Sequence, residues 1–260
     1  MTTNTITLSR QGAALVITLN RPHRKNAFSK ELMGELIAAA QEAEADPAVR
    51  AVIVTGGEQY FSSGADLNEA MEVKSPKEGV TYLKHWERLH DTIEKLEKPV
   101  IAAIEGFCMT GGFEFVMACD IRVAGDGASF ALTSSKIGTV PGAGGTQRLP
   151  RLVGMGKALD ILFSGNPIDA HEAYRINLVE RLVPAGKALA TALDMVKVYE
   201  QRAPLSLAYA KRAVRTGMQM DQASGVELER FLVAAIYCTE DKNEGIGAFL
   251  EKRSPTFKGR

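Results

Sequence analysis

The chain has few cysteines, and this scarcity excludes two kinds of covalent framework. Cys108, Cys119 and Cys238 are the only three in 260 residues, and no two of them are spaced as a CxxC pair. An odd number of widely spaced cysteines argues against a disulfide scaffold or a zinc site. The cysteine content therefore favours a reducing compartment.

The chain also lacks an excess of either charge and any long apolar run. Lysine plus arginine and aspartate plus glutamate each number 31, so no global field attracts nucleic acid or an anionic membrane. No apolar run has the length needed to span a bilayer, and the N-terminal segment lacks the apolar core of a signal peptide. We therefore expect a soluble, cytoplasmic protein without a nucleic-acid or membrane partner.

What is present is typical of a globular α/β protein, with 45% hydrophobic and 24% charged residues. The first third alternates strands and helices, and the pattern becomes almost wholly helical from Gly154 onward. Repeated strand–strand–helix units predict a wound α/β core followed by an all-helical C-terminal segment. The predicted strands are residues 6–8, 13–19, 49–55, 100–104, 121–124, 129–131 and 178–183. The predicted helices include 30–44 with Ser29 as its cap, one long helix within 68–96, and a last helix that Asp241 and Glu244 cap and that ends near Lys252.

A strand followed by a glycine pair and a glutamate carries the residues most suited to chemistry. The apolar run 100–104 ends at Gly106, and Gly111-Gly112 then opens a helix with Glu114 in its first turn. Backbone N–H groups at a helix start have no intrahelical partner, and glycine lets a ligand approach them closely. Such amides stabilise negative charge on an oxygen, and a carboxylate beside them can move protons. Taken alone, Glu114 has a second interpretation, which is stabilisation of its helix N-terminus through the macrodipole.

Two further segments are ambiguous on their own. Residues 61–67, FSSGADL, also suit an ordinary loop with a helix cap, and residues 141–148, PGAGGTQR, also suit a flexible loop that leads into a helix. In this order and at this spacing, however, the segments resemble the crotonase superfamily, which is the enoyl-CoA hydratase/isomerase family. The resemblance extends from Ile6 to Lys258. Its other motifs are LNRP with Asn26-Ala27, KPVIAA at 98–103, Cys119-Asp120 and FLEKR at 249–253.

The resemblance implies a fold, an assembly and a substrate class. Residues 1–195 would form the crotonase-like spiral of ββα units, and residues 196–260 a helical C-terminal segment that serves oligomerisation. The expected assembly is a trimer or a dimer of trimers. The implied substrate is an acyl-CoA thioester of fatty acid metabolism. CoA enters as part of this substrate, and we expect neither a metal nor a separate cofactor.

The resemblance also implies a role for each site residue. Ala65 and Gly111 would donate their amides to the thioester oxygen as an oxyanion hole, and Glu114 would be the base. Loss of one such donor typically costs roughly 3–4 kcal/mol. The residues implied at the substrate are Ser63, Asp66 and Leu67 along the thioester, Lys25 and Asn26 near the pantetheine or nucleotide end, Phe249 and Lys252 at a neighbouring subunit's CoA, and Gly64, Gly112 and Pro141 within the same segments.

One position departs from the hydratase pattern. Hydratases of the family usually carry a second glutamate about four residues before the glycine that opens GTVPG, and here that position is Ser134. No aspartate or glutamate occurs from 127 to 159, so a register shift cannot supply the acid. A serine hydroxyl does not ionise usefully near neutral pH and cannot replace an acid that protonates the α-carbon, although it can hydrogen-bond a water.

The missing acid leaves two ways to complete a hydration. Glu114 serves both proton steps, or Glu69, Glu72 or Glu87 approaches from the long helix predicted within 68–96. Isomerases of the family tend to keep the second acid and lose the first, which is the reverse of this chain. We therefore expect an enoyl-CoA hydratase that adds water in the syn sense to a 2-enoyl-CoA. The alternatives are a CoA-thioester hydrolase, a double-bond isomerase and a non-catalytic acyl-CoA-binding protein.

Overall fold

The structure, a computed structural model, describes residues 4–260. Residues 1–3 lie outside the described residues. They belong to the predicted core range and to the N-terminal segment for which the sequence predicts no signal peptide. Within the described range the strands form one six-stranded and one four-stranded sheet. The strands are β1 Ile6–Gln11, β2 Ala14–Leu19, β3 Ala51–Thr55, β4 Tyr60–Ser62, β5 Val100–Ile104, β6 Phe107–Met109, β7 Ile121–Gly125, β8 Ser129–Ala131, β9 Ile168–Asp169 and β10 Arg181–Val183.

The helices surround these sheets and dominate the last third of the chain. Two short 3₁₀ turns, Pro22–Arg24 and Thr133–Ile137, lie in loops. The α-helices are α1 Lys30–Ala45, α2 Leu67–Met71, α3 Pro76–Lys95, α4 Thr110–Ala118, α5 Gly145–Val153, α6 Met155–Ser164, α7 Ala170–Arg175, α8 Ala188–Glu200, α9 Pro204–Gly217, α10 Gln222–Tyr237 and α11 Glu240–Leu250.

After β1 and β2, which both belong to the larger sheet, the strands from β3 to β8 alternate between the two sheets. The larger sheet has the order β1-β2-β3-β5-β7-β10, and the smaller has the order β4-β6-β8-β9. The neighbours β3, β5 and β7 pair in parallel, as do β4, β6 and β8. Each turn of the chain therefore adds one strand to each sheet, and the predicted spiral of ββα units is confirmed.

The larger sheet is covered on both faces. Every residue of β5 is buried, which is why its sequence is a continuous apolar run rather than an alternating one. One face packs against α1 and α3 through residues such as Leu36 and Ile93. The other face packs against α8 through Ala192 and Val196. The predicted division between residues 195 and 196 falls inside α8, and the packing of Val196 places the end of this helix with the core.

The long helix predicted within 68–96 is present as α3, but the prediction omitted the short helix α2 and the break at 72–75 that precede it. Ser75 precedes Pro76, and the Ser75 hydroxyl accepts a hydrogen bond from the Glu78 amide at 3.3 Å. Proline has no N–H to donate and is tolerated in the first turn of a helix, and serine is a favoured N-cap. These two residues therefore start a new helix at residue 76.

The capping box predicted for the last helix, Asp241 with Glu244, is wrong. Thr239, not Asp241, is the N-cap of α11, and its hydroxyl accepts from the Lys242 amide at 3.1 Å. Asp241 is buried instead, and its two carboxylate oxygens accept from the amides of Lys258 and Gly259 at 2.7 and 2.8 Å. The carboxylate thus holds the C-terminal tail against α11. None of the helices within residues 4–260 is both long and apolar enough to cross a membrane.

Candidate active site

The loop after β4 and the turn that opens α4 lie against each other at one edge of the smaller sheet. β4 and β6 are parallel neighbours, and Ser62 pairs with Cys108, so the segments that follow both strands meet. The contact depends on glycine. A methyl group on Gly64 would lie 1.7 Å from the Thr110 hydroxyl oxygen, and one on Gly112 would lie 2.6 Å from the Ser62 Cβ. The sequence-predicted Gly64 and Gly112 therefore allow the two segments to approach closely.

This approach places two backbone amides side by side. A methyl group on Gly111 would lie 3.2 Å from the Ala65 nitrogen and 2.4 Å from the Trp86 ring. The Gly111 amide is in the first turn of α4, which no side chain caps. Within residues 4–260 neither the Ala65 nor the Gly111 amide donates a hydrogen bond. The structure thus brings together the two residues for which the sequence predicts an oxyanion hole.

Glu114 follows Gly111 by three residues on the same buried helix. It is only 4% exposed, and its Oε1 accepts hydrogen bonds from the amides of Ala143 and Gly145, each at 2.8 Å. Its Oε2 accepts none from the described residues. Burial raises the pKa of Glu114 to about 7, against the opposing effect of the two amides and of the Arg148 charge. The carboxyl group is therefore poised to exchange a proton near neutral pH, with one oxygen fixed and the other available.

Ser134 occupies the position of the missing acid in the structure. It is buried in the 3₁₀ turn Thr133–Ile137, and its carbonyl accepts from the Thr139 amide at 3.0 Å. Of the acids proposed to replace it, Glu69 accepts from the Lys30 amide with both oxygens, at 3.2 and 3.0 Å, and so caps α1. Glu72 lines a separate cavity of about 450 Å³ bounded by α2 and α3.

Glu87 is the one of these three acids that lies near the segment holding Glu114. It is an exposed residue of α3 and lines a cavity of about 370 Å³ together with Gly142 and Ala143. No hydrogen bond joins Glu87 to Glu114 within the described residues. The geometry therefore leaves Glu114 as the carboxylate that directly adjoins the predicted oxyanion hole.

The residues predicted near the nucleotide end form a tightly turned loop. Lys25 and Asn26 both have left-handed backbone conformations, with φ of 50° and 54°. The Asn26 side chain donates to the carbonyls of Gly56 and Phe61, at 3.0 and 3.2 Å, and is buried. Its hydrogen-bonding groups thus connect loops, whereas the Lys25 side chain is exposed to solvent.

The other predicted contacts fall on either side of this loop. Lys25 accepts from the Ser63 amide at 2.9 Å, which links the two segments. Asp66 caps α2 by accepting from Asn68 and forms an ion pair with Arg21 at 3.0 Å. Leu67 is exposed beside it. Ser63 and the exposed Leu67 thus lie on the same short segment as the buried Asp66, and Ser63 joins that segment to Lys25.

The remaining three predicted residues lie elsewhere. Pro141 begins the segment that supplies the two amides to Glu114, and a methyl group on Gly145 would lie 3.0 Å from the Pro141 Cβ. Phe249 and Lys252 are at the end of α11, which packs on α10, and Phe249 is 82% exposed. Within a single chain, α11 does not bring these two side chains to Glu114.

Three residues that matter at this site were assigned no role from the sequence. Trp86, buried on α3, closes one side of Gly111 and stacks on Phe28 with ring centroids 5.4 Å apart. His90 follows one turn later, and burial lowers its pKa to about 3. Arg148 donates from Nη1 to the Ala143 carbonyl at 3.0 Å. In the sequence, the spacing of Tyr82 and Trp86 predicts packing on one helix face, the histidines are expected in surface or core roles, and Arg148 belongs to the segment 141–148 with no role of its own.

No group of three or more histidine, cysteine, aspartate or glutamate side chains lies close enough to hold a metal ion in the part of the chain that the structure describes. The donors that converge near Glu114 are backbone amides, which suit an oxyanion or a carbonyl oxygen. The arrangement can therefore stabilise an enolate and move a proton beside it.

Known proteins with a similar sequence or fold share this arrangement of segments. The profile of the enoyl-CoA hydratase/isomerase family matches residues 9–260. The 2,3-dehydroadipyl-CoA hydratase of Escherichia coli is 38% identical over 254 residues, which are 97% of this chain and 98% of that protein. The short-chain-enoyl-CoA hydratase of Clostridium acetobutylicum is 39% identical over 265 residues, which cover 100% of both chains. The crystal structure of an enoyl-CoA hydratase from Bacillus anthracis has a TM-score of 0.93 and 35% identity, covering 98% of this chain and 100% of that one.

Proposed function

The chain belongs to the enoyl-CoA hydratase/isomerase family of the crotonase superfamily. We propose that it is an enoyl-CoA hydratase that adds water in the syn sense to a 2-enoyl-CoA. The observation that carries the proposal is the carboxylate of Glu114. Two amides donate to one of its oxygens at 2.8 Å each. Glu114 also lies three residues after Gly111 on one helix, and the Gly111 amide donates no hydrogen bond within residues 4–260.

The reaction follows from these groups. The thioester oxygen accepts from the amides of Ala65 and Gly111, while the free oxygen of Glu114 takes a proton from water. The water oxygen then bonds to the β-carbon, and the electron pair of the double bond moves into an enolate whose charge the two amides stabilise. Protonation of the α-carbon completes the addition of one hydroxyl and one hydrogen.

Glu114 is suited to supply that last proton itself. A group with a pKa of about 7 is present in both protonation states near neutral pH, so it can act first as base and then as acid. Because one carboxyl group takes and returns the proton, hydroxyl and hydrogen add to the same face. Ser134 has no acidic proton to contribute, and it would orient water instead.

Hydration of crotonyl-CoA by the wild type and by Glu114→Gln tests this function. Removing a positioned acid or base typically costs about 10²–10⁴-fold, so we expect a loss of kcat in that range. Binding of a non-reactive acyl-CoA, measured by calorimetry, should be retained because glutamine still accepts from the two amides. Equal hydration rates in the two proteins would favour the non-catalytic acyl-CoA-binding protein.

Substitution of Ser134 tests whether the second acid is what the site lacks. Ser134→Glu should raise the hydration rate by about tenfold or more, since it adds a general acid near the α-carbon. Ser134→Gln, which has a similar size and no acidic proton, is the matched control and should give no gain. A native rate that is already high and that Ser134→Glu leaves unchanged contradicts the role given to this position.

We also propose that the chain assembles as a trimer or a dimer of trimers. The support is the exposure of large apolar side chains on the C-terminal helices, which isolated chains rarely display together. These side chains are Val214, Met218, Phe231, Tyr237 and Phe249. In such an assembly Phe249 and Lys252 would contact a neighbouring subunit's CoA. Sedimentation equilibrium should give the mass of three or six chains, and a monomer at micromolar concentration would contradict the proposal.

The compartment and the cofactor requirement are further parts of the proposal. All three cysteines carry free thiols, which is compatible with a reducing cytoplasm. We propose that CoA enters only as part of the substrate and that no separate cofactor takes part. Activity of the purified enzyme that is unchanged after exhaustive dialysis against a chelator is the expected result, and loss of activity that a metal restores would contradict it.

A further inference from the structure

We propose that Arg148 is a positioning residue that fixes the 143–145 segment and thereby the orientation of the Glu114 carboxylate. This inference rests on the proposed function, in which Glu114 is the base. It assigns to the arginine of the PGAGGTQR motif a role that is distinct from substrate contact.

Arg148 and Glu114 both bond to Ala143, Arg148 at its carbonyl and Glu114 at its amide. Arg148 Nη1 donates to the carbonyl of Ala143 at 3.0 Å, and the amide of Ala143 donates to Glu114 Oε1 at 2.8 Å. Gly144 lies directly under the guanidinium, since a methyl group there would be 1.9 Å from Nη1. Gly145 then donates the second amide to Oε1. A displacement of the guanidinium would therefore release both amides that hold the carboxylate.

The guanidinium itself is held by a chain of partly buried ion pairs. Arg148 Nε donates to Glu94 Oε1 at 2.7 Å, and the same oxygen lies 3.3 Å from Arg215 Nη1. Arg215 also pairs with Asp120 at 2.8 Å, and Lys211 pairs with the other oxygen of Asp120 at 2.7 Å. Because α9 carries both Arg215 and Lys211, the helix braces Arg148 from the far side. Such a network fixes a long side chain that would otherwise sample many rotamers.

Arg148 is also the cation whose charge acts to lower the pKa of Glu114. Two other arginines, Arg122 and Arg215, reach α4 at its C-terminal end, where they donate to the carbonyls of Val116 and Ala118. The elements that pack most closely against α4 are α3, α5, β4, β6 and β8. Their titratable or charged groups toward α4 are His90, Glu94, Arg148 and Cys108, while Tyr60 of β4 directs its hydroxyl to the Pro22 carbonyl. Burial keeps His90 neutral by lowering its pKa and keeps Cys108 neutral by raising its pKa. Loss of Arg148 thus removes a positive charge and two anchored amides together, and both changes favour the protonated carboxyl.

The test measures the titration of Glu114 and the pH dependence of hydration in Arg148→Gln. The carboxyl band of Glu114, assigned with Glu114→Gln, is followed by infrared difference spectroscopy from about pH 5 to about pH 9. We expect the midpoint to move to higher pH in Arg148→Gln. The pH at which kcat/KM rises should increase by the same amount as this midpoint. At about pH 6.5, kcat should fall about tenfold, which is the equivalent of one pKa unit, while KM changes little.

Two variants separate this role from a merely structural one. Arg151→Gln removes the same charge from the same helix, but among residues 4–260 Arg151 bonds only to Gln147, so the Glu114 titration and the kinetics of this variant should match the wild type. Arg148→Lys keeps a charge without the guanidinium fork, so we expect a smaller shift of the midpoint and a reduced kcat. If Arg148→Gln does not fold, Arg148→Lys decides alone, and an unchanged kcat overturns the proposal.

The outcomes also distinguish this inference from the proposed function. If folded Arg148→Gln shows the wild-type midpoint for the Glu114 carboxyl and the wild-type pH dependence of kcat/KM, the positioning role is overturned, even if the wild type hydrates enoyl-CoA well. Absence of hydration in the wild type overturns the proposed function, yet the infrared midpoint still reports whether Arg148 governs the Glu114 carboxyl.

Discussion

At the scale of single residues, the main feature of the site is a buried carboxyl group, Glu114, that solvent would otherwise keep ionised at neutral pH. Glu114 has two amide donors on one oxygen, and these alone would lower its pKa. Burial outweighs them and raises the pKa to about 7. Burial thus makes the ionised state of Glu114 less stable, and in the proposed function this gives a base and an acid near neutral pH.

This cost predicts a pH-dependent difference in stability between the wild type and Glu114→Gln. The ordinary pKa is 4.5 and the folded value about 7, so the folded state binds more protons between them. The free energy of unfolding of the wild type should therefore fall as the pH rises through this window, by up to about 3 kcal/mol relative to Glu114→Gln. Urea denaturation of both proteins at several pH values measures this, and parallel curves would show that the carboxyl is not perturbed.

A second residue-scale prediction concerns the space between the two amides. Gly111→Ala would put a methyl group 3.2 Å from the Ala65 nitrogen and 2.4 Å from the Trp86 ring. The methyl group occupies the position between the donors, so kcat should fall about 10²–10³-fold, as when one oxyanion-hole donor is removed. Stopped-flow hydration of crotonyl-CoA measures the loss. Retention of more than half the wild-type rate would place the oxyanion hole elsewhere.

At the scale of secondary-structure elements, the cap residues in the sequence predicted some helix boundaries correctly and others not. Ser29 caps α1 as predicted, with its hydroxyl accepting from the Leu32 amide at 3.2 Å. The break at 72–75 was missed because the helical periodicity continues across it, although Ser75 and Pro76 were a visible start signal. Asp241 looked like a cap because its type fits, but its partners come from a tail 17 and 18 residues later.

The site shows the same division between local and long-range information. The glycines and Glu114 were identified from a family resemblance that local segments carry. Arg148 could not be given a role, because its placement depends on an ion pair with Glu94, 54 residues away in the sequence, and Glu94 in turn pairs with Arg215 of α9. Such contacts follow from how the spiral packs, and no periodicity encodes them.

Two glycines in neighbouring elements provide an element-scale prediction about stability. Gly34 is exposed within α1, and a methyl group there would meet nothing within 4 Å. Gly34→Ala should therefore stabilise the protein by about 1 kcal/mol through helix propensity. Gly12 has equal space but a φ of +59°, so Gly12→Ala should destabilise by about 1 kcal/mol. Thermal or urea unfolding of both variants measures the contrast, and changes of the same sign would contradict it.

At the scale of the whole molecule, the spiral brings together four segments that are far apart in the chain. Residues from the loop after β4 and from α3 meet at Gly111, where α4 begins, and the segment that leads into α5 donates two amides to the Glu114 carboxyl. Helix α9 of the C-terminal segment is linked to Arg148 through Glu94, which pairs with both Arg215 and Arg148. Ion pairs thus connect the C-terminal segment to the residues that bond to Glu114.

The pH dependence of kcat/KM for hydration of crotonyl-CoA by the wild type tests the central claim most directly, because it reports the ionisation of the free enzyme's base. The account predicts that kcat/KM rises with an apparent pKa near 7, the value that burial gives Glu114, and that Glu114→Gln shows no such limb. A profile that is flat from about pH 5 to about pH 9, or a limb at the ordinary glutamate pKa, would contradict it.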